Sequence, residues 1–171
     1  VPGEHYERPL YPWHAAYCGD IDQTGLRKPI SHYRSMLWNE TDGGHLYIAV
    51  KEPDGYKGKI QTTLWGTWPT FASWNWEGHE GKPIEVEVYS HYPMVRLYLD
   101  DRLIGEKPVE EMKAVFSLTY TPGVLKAEGI RNGETIETQT LRTAGKPVAL
   151  RLTADRSKLN ADGQDLSFIV I

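Results

Sequence analysis

A compact pair of carboxylates is the first feature of this sequence whose residue types and spacing could carry out chemistry. Asp20 and Asp22 lie in an irregular segment near the beginning of the chain. Two carboxylates at a fixed separation can act as a general acid and as a base or nucleophile. More often such a pair accepts hydrogen bonds from backbone N–H groups and organises a loop. We favour the loop-organising interpretation and keep the binding of a hydroxyl group or a cation as the alternative.

A dense block of aromatic side chains is the second such feature. Four of the six tryptophans fall within twelve positions, and they are Trp65, Trp68, Trp74 and Trp76. Indole rings at this density either anchor a core or form a platform on which a flat ligand, such as a sugar ring, stacks. Because the block lies between two predicted strands, we favour the core interpretation. Sugar stacking on these four residues remains the alternative.

The other polar residues carry no signature of a metal, a cofactor or nucleic acid. No pair of histidines has the i, i+4 helical spacing of a strong zinc motif, and we interpret His79 as a surface or loop residue. Cys18 is the single cysteine, and the net charge is −4. No apolar run approaches the roughly 18 residues that span a bilayer. We therefore predict no metal, no cofactor, no nucleic-acid partner and no membrane-spanning segment.

The elements that must position these residues are one helix followed by strands. Pro29 suits a first helical turn, and Ile30, Tyr33 and Leu37 recur at the spacing of one helical face, which predicts a helix ending near Asn39. From residue 45 onward, apolar and polar residues alternate in about six short runs separated by turn residues. This pattern predicts an antiparallel β-sandwich over roughly residues 45–143.

Two turns and one linker divide the predicted strands. Asp100-Asp101 and Asn132-Gly133 each lie between alternating runs, and the second pair is a strong signal for a tight hairpin. The stretch 144–147 has the composition of a linker. After it, Val148, Leu150 and Leu152 are predicted to begin a second β-unit that the remaining residues do not complete.

Three stretches of the chain resemble glycoside hydrolase family 2, and specifically its bacterial β-galactosidases. Residues 11–34, with the motif Gly19-Asp20-Ile21-Asp22, resemble the end of the family's catalytic (β/α)8 barrel. Residues 73–105 are similar to the immunoglobulin-like domain that follows the barrel. Residues 141–165 are similar to the entry into a further, invasin-like domain. Each of these three stretches alone is a weak signal for the family, whereas the three in series are a fairly specific one.

The resemblance implies a mainly β chain in three parts. These are 1–42, the last loop and helix of the barrel; 43–145, an immunoglobulin-like β-sandwich; and 146–171, the incomplete start of a second immunoglobulin-like domain. The family's two catalytic glutamates lie upstream of residue 1, so no catalytic residue is expected in this chain. Position in the last barrel loop implies that five residues border the sugar pocket of the parent enzyme: Trp13, His14, Tyr17, Asp20 and Asp22.

The function implied by the resemblance is therefore that of an accessory part of a larger enzyme. We expect a fragment that is inactive alone and that packs as a β-sandwich scaffold on the barrel of a retaining β-galactosidase. Two alternatives are a carbohydrate-binding module and an adhesive or dimer-forming module. The family resemblance also implies a periplasmic or secreted bacterial protein.

Overall fold

The computed structural model describes residues 19–22, 25–39, 45–56 and 69–170. In these ranges the helix α1 spans Pro29–Leu37. The strands are β1 (Leu46–Lys51), β2 (Thr70–Phe71), β3 (Pro83–Ser90), β4 (Met94–Leu99), β5 (Arg102–Pro108), β6 (Lys113–Thr119), β7 (Val124–Arg131), β8 (Glu134–Arg142), β9 (Thr153–Ala154) and β10 (Ile169–Val170).

Two four-stranded antiparallel sheets form the body of the fold. The first sheet has the order β2-β1-β3-β6 and the second has the order β5-β4-β7-β8. Their inner faces share one hydrophobic core, to which Ile48 and Val86 contribute from the first sheet and Leu97 and Leu125 from the second. Two facing antiparallel sheets around one core form a β-sandwich. The predicted fold class, mainly β with antiparallel sheets and one helix, is confirmed for the described residues.

Local sequence explains both the strands and the tight turns between them. In β4 every second residue is buried, because period-two alternation places Val95, Leu97 and Leu99 on the inner face. Asp100 and Asp101 both have positive φ, as do Asn132 and Gly133. Two successive positive φ values match the right-handed twist of a hairpin. Both predicted turns are therefore present.

The helix covers the outer face of the first sheet, which the sequence pattern did not predict. The alternation in β3 predicts one buried face, whereas Glu87 and Tyr89 on its other face are also buried. Tyr89 packs with Met36 of α1 and Ala49 of β1 in a second hydrophobic cluster. The first sheet is therefore enclosed on both sides, by the second sheet and by α1.

Side chains of β8 close the free edge of β1 across the gap between the sheets. Because β2 pairs only with Val50 and Lys51, the beginning of β1 has no neighbouring strand on that side within the described residues. Gln139 Oε1 accepts a hydrogen bond from the backbone N–H of the buried Ile48. Glu137 Oε2 accepts one from the backbone N–H of His45 at 3.3 Å. The two sheets are thus joined by polar contacts as well as by the core.

The segment after β8 differs from its prediction. Val148, Leu150 and Leu152 lie in no strand and are exposed. The two short strands β9 and β10 pair with each other instead. Alternating apolar residues form a strand only where a partner supplies hydrogen bonds and an apolar surface, and in the described ranges these three residues have neither.

Candidate functional site

The loop before α1 contains both members of the predicted carboxylate pair. It closes through a bridge between Ile21 and Arg27, and Lys28 N–H donates to the carbonyl of Asp20 at 2.8 Å. The Asp20 carboxylate pairs with Arg34 of α1. Asp22 Oδ1 accepts a hydrogen bond from the backbone N–H of Leu26 at 2.9 Å. Both carboxylates therefore organise the loop and its junction with the helix, which is the interpretation that the sequence favoured.

Five of the predicted site residues lie outside the part of the chain that the structure describes. Trp13, His14 and Tyr17 of the expected pocket rim lie outside the described residues, and so do Trp65 and Trp68 of the tryptophan block. The structure therefore brings together only Asp20 and Asp22 from the first group, and Trp74 and Trp76 from the second.

Trp74 is a core residue, as the favoured interpretation of the sequence predicted, and its burial contradicts the sugar-stacking alternative for this residue. The side chain is fully buried, and its Nε1–H donates to the carbonyl of Thr121 at 3.0 Å. Its ring meets the ring of Tyr120 edge-on, with 5.0 Å between centroids. Its own carbonyl accepts from the hydroxyl of Thr143 at 2.6 Å. Trp74 thus ties together the segments that precede β3, follow β6 and follow β8.

Trp76 is also buried, which again agrees with the favoured core interpretation and contradicts the stacking alternative for this residue. Its ring edge contacts the rings of Tyr56 and Phe71, with centroid distances of 5.0 Å and 5.9 Å. Its backbone N–H donates to the hydroxyl of Tyr120 at 3.0 Å. Among the described residues, Nε1 of Trp76 has no hydrogen-bond partner. Among the four tryptophans, only Trp65 and Trp68 remain for the stacking hypothesis.

His79 is a loop residue, as one part of its prediction stated, and its side chain is buried. Its Nε2 lies 3.0 Å from the carbonyl oxygen of Pro83, and its backbone N–H donates to Trp76. The described residues contain no group of three histidine, cysteine or carboxylate side chains that could hold a metal ion. In the same ranges no helix is long and apolar enough to cross a membrane.

The junction between α1 and the outer face of the first sheet is rich in aromatic side chains. Tyr33 packs against Tyr89 with 5.0 Å between centroids, and its hydroxyl donates to the carbonyl of Glu111 at 3.0 Å. The ring of His32 stacks on Tyr47 at 3.9 Å. Burial raises the pKa of Tyr33 and of Tyr47 above the ordinary value. Tyrosines at the outward positions of β1 and β3 are the feature of the sequence from which this junction could have been predicted.

The end of α1 is joined to the sandwich by two histidines. His91 Nε2 lies 2.8 Å from the carbonyl oxygen of Met36, and its Nδ1 lies 3.0 Å from Nδ1 of His45. Glu137 accepts from the hydroxyl of Tyr92 at 2.9 Å, beside this pair. These contacts link the helix, the first sheet and β8. Sequence reasoning missed them because the residues come from four separate segments.

The other side of the helix region carries apolar side chains that nothing in the described residues covers. Leu37, predicted to lie on the buried helical face, is half exposed, and Met36 is buried in its place. Trp38 is 68% exposed at the C-cap of α1. Leu26 and Ile21, in the loop before the helix, are also exposed. We call Ile21, Leu26, Leu37 and Trp38 the outer apolar residues.

A comparison with protein families finds one matching model within the sandwich. It is described as a domain of unknown function, DUF4982, and it matches residues 81–137. The match runs from the loop before β3 into β8.

Curated relatives match over a longer stretch. A protein of Bacteroides ovatus named beta-galactosidase BoGH2A is 25% identical over 166 residues, which cover 94% of this chain and 16% of that protein. A protein of Formosa agariphila named beta-glucuronidase is 35% identical over 101 residues, which cover 56% of this chain and 10% of that protein.

Solved structures match the fold over nearly the whole chain. A glycosyl hydrolase family 2 member from Bacteroides cellulosilyticus superposes with a TM-score of 0.78 and 35% identity, covering 94% of this chain and 21% of that one. A beta-glucuronidase from glycoside hydrolase family 2 superposes with a TM-score of 0.63 and 25% identity, covering 91% of this chain and 14% of that one. The chain thus spans a small share of the length of each relative.

Proposed function

Because this chain belongs to glycoside hydrolase family 2 and corresponds to a small part of its longer members, we propose that it is a non-catalytic accessory region of a glycosidase. It packs as a β-sandwich scaffold on the catalytic domain of the same polypeptide. The observation that carries the proposal is that the two sides of α1 have different surroundings. One side of α1 is seated on the first sheet, whereas the outer apolar residues on the other side face solvent.

The proposal assigns a role to each of three parts of the chain. Residues 1–42 are the end of a catalytic (β/α)8 barrel, 43–145 are the immunoglobulin-like domain, and 146–171 begin a second such domain. An exposed Trp and Leu at a helix end are covered when that helix packs on its barrel neighbours. In the whole protein, Asp20 and Asp22 border the sugar pocket together with three residues of the preceding segment: Trp13, His14 and Tyr17.

The whole protein hydrolyses a β-glycoside with retention, through two carboxylates that this chain does not supply. Relatives named as beta-galactosidase and as beta-glucuronidase support this substrate class, and we propose a β-galactoside as the sugar. Retaining hydrolysis needs two carboxyl groups about 5 Å apart. In this chain the carboxylate of Asp20 is paired with Arg34, and that of Asp22 binds a loop N–H.

An assay of the isolated chain tests the non-catalytic role. We expect no hydrolysis of nitrophenyl β-galactoside or nitrophenyl β-glucuronide above the uncatalysed background, and hydrolysis of at least one of them by the intact protein. Turnover by the isolated chain that disappears in the variant Asp20→Asn would contradict the proposal.

A pair of variants tests the packing role. In the intact protein, replacing Leu37 and Trp38 together by Ser removes apolar contact with the catalytic domain, so we expect the Tm to fall by several degrees. In the isolated chain the same double variant should leave the Tm unchanged, because both side chains are exposed there. The matched control is Val148→Ser, an exposed apolar residue outside the helix region. Equal shifts in the intact and isolated proteins would exclude packing through this side of α1.

A further inference from the structure

The backbone of Asp20 is held in place by its own loop. This loop closes through the bridge between Ile21 and Arg27. In addition, the carbonyl of Asp20 accepts a hydrogen bond from the backbone N–H of Lys28 at 2.8 Å. These contacts join backbone atoms, so they place the Cα of Asp20 and leave the torsions of its side chain undetermined. The direction of the carboxylate therefore depends on a contact of another kind.

Arg34 supplies that contact from the helix. Its Nη1–H donates to Oδ1 of Asp20, fourteen residues earlier in the chain. A carboxylate has two oxygens with about four acceptor sites in total. With Oδ1 held by Arg34, the carboxylate of Asp20 can still accept a hydrogen bond from the hydroxyl group of a ligand. The ion pair thus fixes the direction of the carboxylate without using up its acceptor capacity.

The position of Arg34 follows from the way in which α1 rests on the first sheet. The adjacent helical residue Tyr33 packs against Tyr89, and its hydroxyl donates to the carbonyl of Glu111 at 3.0 Å. Arg34 therefore extends toward the loop from a helix that the sandwich holds at a defined place.

The ion pair lies beside the surface that the proposed function assigns to the catalytic domain. Leu37 and Trp38 follow Arg34 by three and four residues, so they share its side of α1. The exposed Ile21 directly follows Asp20. The side chains of the pair are 45% and 27% exposed, and an ion pair in such surroundings adds little to stability. A displacement of about 1 Å near a reaction can nevertheless cost a hundredfold in rate, so the pair can affect activity more than stability.

We propose that Arg34 is a positioning residue of the glycosidase pocket: it orients the Asp20 carboxylate so that its second oxygen accepts a hydrogen bond from a hydroxyl group of the β-glycoside. This inference rests on the proposed function, which places Asp20 at the border of the pocket. Asp20 contacts the substrate, and Arg34 acts only through Asp20.

Steady-state kinetics of the intact protein test the proposal through a double-mutant cycle, with the nitrophenyl β-glycoside that the protein hydrolyses as substrate. Arg34→Gln and Asp20→Ala should each lower kcat/KM about tenfold. Because Arg34 acts through Asp20, the double variant should have the same kcat/KM as Asp20→Ala alone. Two independent effects would multiply to a loss of about a hundredfold, and that result would overturn the proposal.

Two further variants separate positioning from general effects of charge and stability. Arg34→Lys keeps the positive charge and should retain more kcat/KM than Arg34→Gln, whereas the reverse order would contradict a role of the ion pair. Arg96→Gln is the matched control, because Arg96 forms a partly exposed ion pair with Glu106 on the second sheet, and it should leave kcat/KM unchanged.

The Tm distinguishes a positioning residue from a structural one. We expect the Tm of Arg34→Gln to stay within about 2 °C of that of the unmodified intact protein, because an exposed ion pair adds little to stability. A loss of activity that comes with a much larger fall in Tm would make Arg34 a structural residue and overturn the proposal.

The same measurements separate this inference from the proposed function. If the intact protein hydrolyses neither nitrophenyl β-galactoside nor nitrophenyl β-glucuronide, the proposed function is wrong and the inference is wrong with it. If the intact protein is active and Arg34→Gln is as active as Arg96→Gln, only the inference is overturned.

Discussion

At the scale of single residues, Trp74 and Trp38 occupy opposite environments. Trp74→Ala removes a fully buried indole, and we expect the free energy of unfolding to fall by about 3–5 kcal/mol. Trp38→Ala removes an exposed ring and should change it by less than about 0.5 kcal/mol. Urea denaturation followed by circular dichroism measures both. A small effect at Trp74 would contradict its assignment to the core.

Gly129 is required by a close approach of a neighbouring ring. A Cβ added there would lie 2.1 Å from Cδ2 of Tyr92, so the ring would have to move. Overpacking of this kind costs about 1–3 kcal/mol, and we expect Gly129→Ala to destabilise the chain by that amount. Gly145→Ala is the control, since nothing lies within 4 Å of its added Cβ. Equal stability of the two variants in urea denaturation would show that Tyr92 moves without cost.

His32 gives the stability of the chain a predictable dependence on pH. Its pKa is about 4 in the folded chain against an ordinary value of 6.5, so the unfolded chain binds more protons between these values. The stabilisation is complete above pH 6.5 and is lost as the pH falls toward 4. We expect a loss on the order of 1 kcal/mol, because partial exposure of the ring reduces the effect. In His32→Phe this part of the pH dependence should disappear, as measured by urea denaturation at several pH values.

At the scale of elements, the contact between β8 and β1 gives a prediction for the sheet edge. Gln139→Ala leaves the buried N–H of Ile48 without a partner, which should cost about 1–3 kcal/mol. Thr138→Ala, at the neighbouring exposed position of the same strand, serves as control and should be nearly neutral. Thermal unfolding distinguishes the two. Equal losses would mean that strand propensity, rather than the hydrogen bond, is responsible.

Strands and turns were predictable because their causes are local. The alternation in β4 and the Asn132-Gly133 turn each determine a structure from a few adjacent residues. The strand β2 was not predictable, since its two residues are a strand only through pairing with Val50 and Lys51.

The candidate site was predictable only where a residue's role depends on its own loop. Asp22 binds an N–H four residues away, so the loop-organising interpretation could be made from sequence. Whether Met36 or Leu37 faces inward depends on how α1 sits on a distant sheet, and spacing within the helix does not determine that. The pairing of His45 with His91 depends on the fold of two sheets and was not readable from the chain.

At the scale of the whole molecule, the sandwich should be independent of the segment that follows it. The exposed apolar side chains between Val148 and Val170 contribute nothing to the core of the described residues. A chain that ends at Lys146 should therefore keep its free energy of unfolding within about 0.5 kcal/mol. A chain that ends at Asn132 loses β8 and should not fold, as circular dichroism would show. A large loss in the first truncation would mean that residues 147–171 stabilise the sandwich.

The side-chain hydrogen bonds between β8 and β1 also show in which relative direction these two strands run. His45 is hydrogen-bonded to Glu137, and Ile48, further along β1, is hydrogen-bonded to Gln139, further along β8. The strands β1 and β8 are therefore parallel. The polypeptide therefore enters the sandwich at one pole and leaves it at the other, about 30 Å away for a nine-residue strand. A pulling force applied between the segment before β1 and the segment after β8 acts along both strands. It therefore shears the side-chain hydrogen bonds that join them. The segment before β1 and the segment after β8 are thus separated by the length of one strand.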